Sequence, residues 1–432
     1  MSSQLNVLRH YLKFKYRKLK NEEKLKQYQA GKLKKKLKFV TGHSEFYKGY
    51  EGKAFKDFPV IDKKTMMDNF NQINTVGIDK EEALAFAIGS ERTREFGQKL
   101  HNITVGLSSG TSYSRGIFLV ENAEKDKWAG YVLAKFLPKS ILARCKIAFF
   151  MRADSNLYEA VGSKNIRFEF FDIYADMDKN LEKLQQFQAD IIVAQPSMLL
   201  VLADAVKNKQ LTVSPEKVIS IAEVLEKEDE AYLKNVFGLD VIHQVYQCTE
   251  GCLATTCSCG TLHLNEDIVY IEKEYLDETR FVPVITDLER TAQPIIRYRL
   301  NDVLVEKKGK CACGSVFTAL EKIEGREDDV FLFETENGTS ISVFPDFVRR
   351  CILFAGSITD YRVVQETDGS ITVFADIDEP MKKRVKEEFG KLAAEKGFCL
   401  PELRFAKYCY DKKRKLKRVE RYSTRREENE KG

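Results

Sequence analysis

The chain has 432 residues, of which 43% are hydrophobic and 31% charged, with 24 Gly and 9 Pro. This composition excludes a collagenous, low-complexity or wholly disordered protein, and the length predicts two or three domains. The formal net charge is +5, but the excess of Lys and Arg lies in residues 1–40 and 411–432, whereas residues 41–410 carry −11. Because a nucleic-acid footprint needs a continuous basic face, we expect no nucleic-acid partner.

The N-terminus predicts a cytoplasmic protein, because MSSQLNVLRHYLKFKYRKLK has neither the apolar segment nor the cleavage site of a secretory signal. The most apolar stretch, 191–206, is interrupted by Gln195, Pro196 and Asp204 and is too short to cross a bilayer. In a reducing compartment the ten cysteines are not expected to form disulfides. Six of them lie between residues 248 and 313, which indicates metal binding, catalysis or core packing.

The first forty residues predict one or two basic amphipathic helices, in which apolar residues recur at helical spacing between Arg and Lys, namely Leu5, Leu8, Leu12, Phe14 and Leu19. One interpretation is a helix packed on the rest of the protein with its charges in water. The alternative is a docking element for an anionic membrane surface or an acidic carrier protein, and hence a peripheral membrane contact.

Residues 41–325 predict an α/β domain in which strands alternate with helices. The predicted strands are 103–107, 116–120, 146–151, 167–171, 189–194, 218–223 and 240–246, and helical segments include 121–137 and 181–187. Such alternation predicts right-handed crossovers and a mainly parallel sheet covered on both faces.

After residue 325 the pattern changes to that of a small α+β domain, residues 326–432. Strand-like 330–333 and helix-like 343–354 precede two alternating runs separated by Asp368-Gly369, a strong hairpin signal. A helix over 381–396 and a strand over 403–409 complete the predicted domain.

A loop rich in hydroxyl and glycine residues, Ser108–Gly116, joins two predicted strands. Its small residues allow backbone N–H groups to approach a polyanion, and its hydroxyls and cation suit phosphate oxygens. The groups concerned are Ser108, Ser109, Gly110, Thr111, Ser112 and Arg115. An ordinary polar hairpin loop is the other interpretation.

Two further segments carry polar groups suited to a nucleotide. The strand that contains Tyr246 runs into Thr249 and Glu250, and polar groups at the carboxyl end of a parallel strand lie where such sheets bind ligands; Glu250 could hold Mg²⁺. The run 285–302 ends at Asp302, whose carboxylate suits ribose hydroxyls, and the junction 324–329 follows. A buried salt-bridge network would use the same residue types.

These motifs together resemble the adenylate-forming enzyme superfamily. SSGTSYSRG, YQCTEG, ITDLERTAQPIIRYRLND and GREDD occur in the order and at about the spacing of that superfamily, and the resemblance covers about residues 40–420. The branch that the chain resembles is the phenylacetate–CoA ligase type, together with its relative that adenylylates a deazaflavin cofactor. Within that branch, AEVLE, TEGCLATTC, GTLHLNED and FPDFVRR resemble an uncharacterised group of adenylate-forming enzymes.

The resemblance implies a large adenylation domain with a mobile C-terminal lid, and it implies a role for each motif. The loop 108–116 would grip the ATP phosphates, although Tyr113 stands where the family usually has Gly. Thr249 and Glu250 would contact phosphate and Mg²⁺. The remaining nucleotide contacts implied are Ala222 and Glu223 lining the adenine pocket, Tyr246 stacking near adenine, Asp302 at the ribose and Arg326 with Asp328 at the hinge.

The same resemblance implies a catalytic lysine near the C-terminus. KKRKLKRV, residues 412–419, resembles the family's Gly-Lys-Leu-x-Arg-Val ending, which places the lysine that contacts the carboxylate and the α-phosphate at Lys415. Arg414 stands where the family has Gly, and Lys412, Lys413 and Lys417 are close in sequence. A solvated basic tail is the alternative.

Two C-x-C-G repeats predict a structural zinc site within residues 257–313. They supply Cys257 with Cys259 and Cys311 with Cys313, and four soft ligands suit Zn²⁺ in a closed site. His263 is a rival for the fourth position, and the phenylacetate–CoA ligase branch resembles the set with His263 more closely. Unliganded surface thiols are the other interpretation.

The function expected from the resemblance is ATP-dependent activation of a carboxylic acid to an acyl-adenylate, followed by thioester formation on CoA or an acyl carrier protein. Adenylyl transfer to a hydroxyl group and a non-catalytic nucleotide-binding regulator are the alternatives. The acid is open: aromatic residues could line its pocket or be plain core, and they are Phe149, Phe150, Tyr158, Phe168, Phe170 and Phe171.

Overall fold

The computed structural model describes residues 3–108, 116–151, 160–356, 358, 360–409 and 417–422. The chain divides into two compact units. The N-terminal unit comprises residues 1–300 and 306–322, and the C-terminal unit comprises residues 301–305 and 323–432. The chain therefore passes between the units three times, within the segment 300–323.

Two helices open the N-terminal unit, α1 (Ser3–Lys15) and α2 (Glu22–His43). The side chain of Asn21 caps α2 by accepting a hydrogen bond from the backbone N–H of Lys24 at 2.9 Å. The predicted basic helices are therefore present. They are followed by α3 (Lys63–Asp68), α4 (Phe70–Ile73) and α5 (Lys80–Thr93).

The first helix packs against a later one, α6 (Asn122–Phe136). The buried side chains of α1 are Val7, Tyr11 and Phe14. Gly130 of α6 makes a close approach possible, because a Cβ there would lie 2.8 Å from the backbone N of Tyr11. The interpretation of a helix packed on the protein is correct for this inner face.

A parallel sheet forms the centre of the N-terminal unit. Its strands lie in the order β4-β3-β5-β6-β7, and every neighbouring pair is parallel. The strands are β3 (Cys145–Met151), β4 (Ile166–Asp172), β5 (Ile191–Ala194), β6 (Lys217–Ile221) and β7 (Ile242–Cys248). The connecting helices are α7 (Met177–Phe187), α8 (Pro196–Lys207) and α9 (Lys227–Phe237). The predicted α/β architecture is confirmed.

Aromatic residues of β3 and β4 form part of the core of this unit. Phe150 and Phe171 are both buried, and their rings stack with centroids 4.5 Å apart. They pack in one cluster with Leu184 and Leu199 from the covering helices. For these two aromatic residues the core interpretation is correct, and an acid pocket is not. Tyr158 lies outside the described residues.

An antiparallel region continues the sheet beyond β7, which the strand-helix alternation did not predict. β8 (Gly251–Thr256) returns against β7, and β9 (Leu262–Leu264) pairs with β8 and with the first residues of β14 (Ala319–Arg326). The other strands of this region are β10 (Val269–Tyr275), β11 (Arg280–Asp287) and β12 (Tyr298–Arg299). The next strand, β13 (Asp302–Glu306), belongs to the C-terminal unit except for its last residue. A separate two-stranded hairpin is formed by β1 (Thr104–Leu107) and β2 (Ile117–Val120).

The C-terminal unit has the predicted α+β character. A four-stranded sheet lies in the order β19-β18-β17-β20, with the predicted hairpin between β17 (Tyr361–Gln365) and β18 (Ile371–Ala375). Its other elements are β15 (Phe331–Glu334), β16 (Ser340–Val343), α10 (Pro345–Ala355), α11 (Glu379–Lys396), β19 (Leu403–Ala406) and β20 (Val419–Arg421). These elements share one apolar core that includes Val348, Val363 and Phe389.

The last strand limits one alternative from the sequence, the solvated basic tail over 412–419, only at its end, because residues 412–416 lie outside the described residues. Residues 419–421 pair in parallel with β17, and Val419 is buried. This part of the C-terminus is therefore a strand of the sheet, and it is not a solvated basic tail. In the described part of the chain, no helix combines the length and the apolar character that a membrane span requires.

Candidate functional site

The carboxyl ends of the parallel strands bring several predicted residues to one edge of the sheet. β5, β6 and β7 are neighbours and parallel, so the residues that follow them share that edge. Gln195 follows β5, Ala222 and Glu223 follow β6, and Thr249 with Glu250 follows β7. Sequence segments separated by more than fifty residues thus meet at the position where doubly wound sheets bind ligands.

The turn after β6 is tightly constrained. Ala222 has φ +66°, in the left-handed region that a residue with a Cβ rarely adopts, and the N–H of Glu223 donates to the carbonyl of Ile221 at 2.8 Å. The Glu223 carboxylate accepts from the Ser197 hydroxyl at 2.9 Å, at the first turn of α8. Backbone strain of this kind persists where the surroundings enforce it and is frequent at functional sites.

Glu250 contacts a buried tyrosine that the sequence analysis quoted without assigning a role. Tyr298 lies beside Glu250, and burial together with the carboxylate's negative charge raises the pKa of Tyr298 far above its usual value. Tyr298 is 3% exposed and begins β12, next to β11. The Glu250 carboxylate thus lies beside a buried tyrosine, and a carboxylate has lone pairs for a cation.

Arg290 links the turn after β7 to the β1–β2 hairpin, and sequence reasoning missed it as well. Its Nη1 donates to the carbonyl of Thr249 at 2.8 Å, and its Nη2 donates to the carbonyl of Leu119 at 3.3 Å and to Oε1 of Gln293 at 3.2 Å. Gln293 in turn donates to the carbonyl of Ile117 at 3.0 Å. Two of the segments predicted to bind phosphates are therefore held together by one guanidinium group.

Beneath this link lies a buried charged cluster. Oδ1 of Asp287 accepts from the N–H of Arg290 at 2.8 Å. Lys36 of α2 is 4% exposed, and its Nζ has no hydrogen-bond partner among the described residues. Burial lowers the pKa of Lys36 to about 8, and the negative charges of Asp287 and Glu124 oppose that shift. Burial also raises the pKa of Asp287, opposed by Lys36.

The hairpin that carries the hydroxyl-rich loop is present, but most of the loop lies outside the described residues. The N–H of Ser108 donates to the carbonyl of Gly116 at 2.7 Å, and the N–H of Gly116 donates to the Ser108 hydroxyl at 2.7 Å. Ser108 thus closes the base of the loop. The other predicted phosphate contacts, Ser109, Gly110, Thr111, Ser112 and Arg115, fall in the undescribed part.

Tyr246 lies within β7 opposite Ala254 and is 8% exposed. Most of its side chain is packed in the protein. Its role beside adenine stays a prediction.

Asp302 and Arg326 both belong to the C-terminal unit. Asp302 begins β13, and Arg326 ends β14. The preceding residue, Asn301, is bound to the junction: its amide donates to Oδ2 of Asp328 at 3.0 Å, and its carbonyl accepts from the N–H of Glu327 at 2.6 Å. The predicted ribose contact and the predicted hinge are thus connected through backbone and side-chain hydrogen bonds.

Among the candidate lysines, Lys415 lies outside the described residues with Lys412 and Lys413. Lys417 is described, and its Nζ lies 2.7 Å from Oδ1 of Asp329 and 3.6 Å from Oε1 of Glu420. Both carboxylates are buried. Lys417 is therefore held within the C-terminal unit as the cation of an ion-pair cluster.

Four of the five predicted metal ligands come together. The ligand atoms of Cys257, His263, Cys311 and Cys313 all lie within 4.8 Å of one another. The Cys257 and Cys311 sulfurs are 3.8 Å apart, and the Cys313 sulfur is 3.4 Å from Nε2 of His263. Tetrahedral Zn²⁺ with bonds of about 2.0–2.3 Å requires similar separations between its ligands. Cys259 is exposed and is not part of this group.

The two C-x-C-G segments form equivalent turns around this cluster. Gly260 and Gly314 have φ of +78° and +72°, and each donates its N–H to the carbonyl of the first cysteine of its repeat at 3.1 Å. Nδ1 of His263 lies 3.0 Å from the carbonyl of Phe317, which leaves Nε2 for a metal. Hydrogen bonding, chiefly from the backbone of Cys313, lowers the pKa of Cys311 to about 6, whereas burial raises the pKa of Cys313 to about 11. Of these two thiols, Cys311 is therefore the one that is favoured as the thiolate that metals bind.

Comparison with models of protein families and with curated proteins finds no match. Solved structures do match over nearly the whole chain. A 2-hydroxyisobutyryl-CoA ligase in the postadenylation state has a TM-score of 0.69 and 14% identity, covering 96% of this chain and 93% of that one. The same ligase in an open conformation with 2-HIB-AMP and CoA has a TM-score of 0.58 and 15% identity, covering 92% and 91%.

A third similar structure is the GH3.15 acyl acid amido synthetase, with a TM-score of 0.58 and 13% identity, covering 90% of this chain and 87% of that one. At these identities the likeness concerns the fold. The chain has the fold of adenylate-forming enzymes, and the sequence-based expectation is confirmed at that level.

Proposed function

We propose that this chain, which has the fold of adenylate-forming enzymes, is an ATP-dependent ligase that converts a carboxylic acid into an acyl-adenylate and pyrophosphate and then into a thioester. The observation that carries the proposal is the turn after β7, where Glu250 lies beside the buried Tyr298 and Thr249 is tied by Arg290 to the β1–β2 hairpin. By its motifs the chain resembles the phenylacetate–CoA ligase branch, and we propose that it belongs there.

Activation is required because a carboxylate is a poor electrophile with a poor leaving group. In the first step, a carboxylate oxygen attacks the α-phosphorus of ATP, the acyl-adenylate bond forms and the bond to pyrophosphate breaks. Negative charge gathers on the phosphorus centre and on the departing pyrophosphate, so the site must supply donors and cations. Mg²⁺ bound to phosphate oxygens would supply part of that positive charge.

Each segment has a role in this step. The loop 108–116 would bind phosphate oxygens, and Glu250 with Thr249 would hold the metal and a phosphate. Ala222 and Glu223 would line the adenine pocket, with Tyr246 beside it, and Asp302 would bind the ribose hydroxyls. Lys415 would neutralise charge at the α-phosphate, and Arg326 would mark the hinge.

In the second step a thiolate attacks the acyl carbon, the thioester forms and AMP leaves. CoA is the proposed thiol, because 2-hydroxyisobutyryl-CoA ligase, with the most similar fold among the structures compared above, is named for a CoA thioester. An acyl carrier protein is the second candidate for the thiol. The four-ligand cluster would hold a structural zinc ion, which would take no part in either step because all four coordination positions are filled by the protein.

The decisive experiment is ATP–pyrophosphate exchange measured against a panel of aromatic, aliphatic and hydroxy acids, followed by mass spectrometry with CoA. We expect exchange that depends on one class of acid and a thioester when CoA is added. Exchange that depends on a hydroxyl compound would instead indicate adenylyl transfer to a hydroxyl acceptor. Tight ATP binding without exchange for any acid would indicate a nucleotide-binding regulatory protein.

A further inference from the structure

The outer face of α1 presents apolar side chains to solvent. Leu5 is 51% exposed, Leu12 44% and Tyr16 68%. These fractions are high for large apolar side chains on a helix whose opposite face is packed in the protein. Nothing in the proposed reaction uses this face.

The three side chains form one stripe. With about 3.6 residues per turn, positions seven and eleven residues after Leu5 return to within roughly 20° of it. Tyr16 continues the helical turn, because its N–H donates to the carbonyl of Leu12 at 3.1 Å. The buried side chains Val7 and Phe14 lie on the opposite side. The helix therefore has two apolar faces, one inside the protein and one in water.

The stripe is bordered by cations. Arg9 and Lys15 are exposed on either side of it, and Lys18 and Lys20 are exposed just beyond the helix. No Asp or Glu occurs before residue 22. Arg17 differs from these exposed cations, because its guanidinium group forms an ion pair with Asp267 at 3.3 Å.

Contacts on the inner face of α1 hold this helix against the rest of the N-terminal unit. The Phe14 and Tyr131 rings meet edge to face with centroids 4.9 Å apart, and the Tyr131 hydroxyl donates to Oδ1 of Asp267 at 3.1 Å. The hydroxyl of Ser3 donates to Asp126 at 2.5 Å. The inner face already holds the helix in place. Binding by the outer face would therefore not be opposed by the conformational entropy that is lost when a helix becomes ordered.

We infer that the outer face of α1 docks this protein on an anionic lipid surface. A single line of protruding apolar side chains flanked by Lys and Arg matches a helix that lies in the plane of the membrane, with the apolar residues in the acyl boundary and the cations at the headgroups. An acidic protein would pair with the cations only. To cover the apolar stripe as well, it would need a groove of matching shape. The inference is independent of the proposed function.

The experiment is sedimentation of the full chain with vesicles of phosphatidylcholine alone and with about 30% phosphatidylglycerol added. We expect binding to the anionic vesicles, weaker binding to the neutral ones, and a loss of affinity as salt is raised. The triple variant L5Q/L12Q/Y16Q and the charge variant R9E/K15E should each reduce binding to anionic vesicles by about tenfold or more.

A matched control removes three equally exposed apolar side chains from elsewhere on the N-terminal unit. Leu142, Tyr275 and Leu276 are 73%, 53% and 43% exposed, and L142Q/Y275Q/L276Q should bind vesicles as the wild type does. Circular dichroism and thermal melting establish that each variant folds. Should a stripe variant fail to fold, the single substitutions Leu5→Gln and Tyr16→Gln give the same comparison.

Three outcomes overturn the inference. The first is no binding of the wild-type chain to anionic vesicles, and the second is an equal loss in the control variant. The third is self-association measured by light scattering, or binding to polyglutamate without binding to vesicles, either of which would assign the face to a second copy or to an acidic protein.

Discussion

Arg290 donates a hydrogen bond from Nη1 to the backbone carbonyl of Thr249 at 2.8 Å. The two residues are 41 positions apart, and the same guanidinium also contacts Leu119 next to the hydroxyl-rich loop. A backbone carbonyl held in this way fixes the position of the turn that carries Glu250.

We expect Arg290→Met to lower the rate of adenylation by roughly 10- to 100-fold, because loss of a charge-assisted hydrogen bond costs about 1.5–3 kcal/mol. Arg290→Lys should recover part of the rate, since an ammonium group can reach one of the carbonyls. ATP–pyrophosphate exchange measures the effect. Arg167→Ala is the control, because Arg167 is exposed and pairs with Glu169 at 3.9 Å; equal losses in both variants would contradict the prediction.

Glu250→Gln should abolish exchange, with a loss of at least about 10²-fold, because it removes the proposed metal ligand while keeping the shape of the side chain. Tyr298→Phe removes only the hydroxyl group of the tyrosine beside Glu250 and should cost less. Asp302→Ala should raise the KM for ATP through loss of the ribose contact. Exchange at the wild-type rate in the Glu250 and Asp302 variants, with folding verified by circular dichroism, would reject the site.

Elemental analysis of protein purified without chelators should find one zinc ion per chain. Cys311→Ser should abolish zinc binding and lower the free energy of unfolding by several kcal/mol, because a structural metal site contributes binding energy to folding. Cys259→Ser is the matched control and should keep the metal, since Cys259 is exposed and lies outside the cluster. Zinc lost equally in both variants would restore Cys259 as the fourth ligand in place of His263.

Lys415→Ala should reduce formation of the acyl-adenylate by roughly 10²-fold or more, while thioester formation from supplied acyl-adenylate is much less affected. Lys417→Ala should instead destabilise the C-terminal unit, because it removes a cation that lies against the buried carboxylates of Asp329 and Glu420. The two half-reactions and thermal melting separate these effects. A split between the half-reactions in Lys417→Ala or Lys413→Ala would place the catalytic lysine there.

Because Lys36 is buried, the free energy of unfolding should change with pH in the alkaline range. Its pKa falls from 10.5 to about 8 on folding, so between pH 8 and 10.5 the unfolded chain binds more protons and the free energy of unfolding rises with pH. The expected rise attributable to Lys36 is about 3 kcal/mol. Urea unfolding across this range measures it, and Lys36→Met should lack that contribution. Parallel curves for the two proteins would show that Lys36 does not titrate there.

Much of the fold could be predicted from local patterns. The strands that became β3 to β7 are short apolar runs separated by helical periodicity, and each is present close to its predicted position. The antiparallel strands β8 to β11 were missed, since their apolar and polar residues do not follow the alternation that identified the parallel part. β20 was missed because Val419 is one apolar residue in a run of charges, and pairing with β17 compensates for its composition.

The candidate site likewise has features that the sequence reveals and features that only the tertiary structure reveals. Thr249, Glu250 and the C-x-C-G cysteines are recognisable because the residue types and their spacing carry the chemistry, and the sequence by itself determined these motifs and their order. Only the tertiary structure decided that His263 joins Cys311, that Lys36 is buried beside Asp287, and that Arg290 reaches Thr249. Local propensity and spacing act over a few residues, whereas these contacts join positions that are close only after the sheet has brought them together.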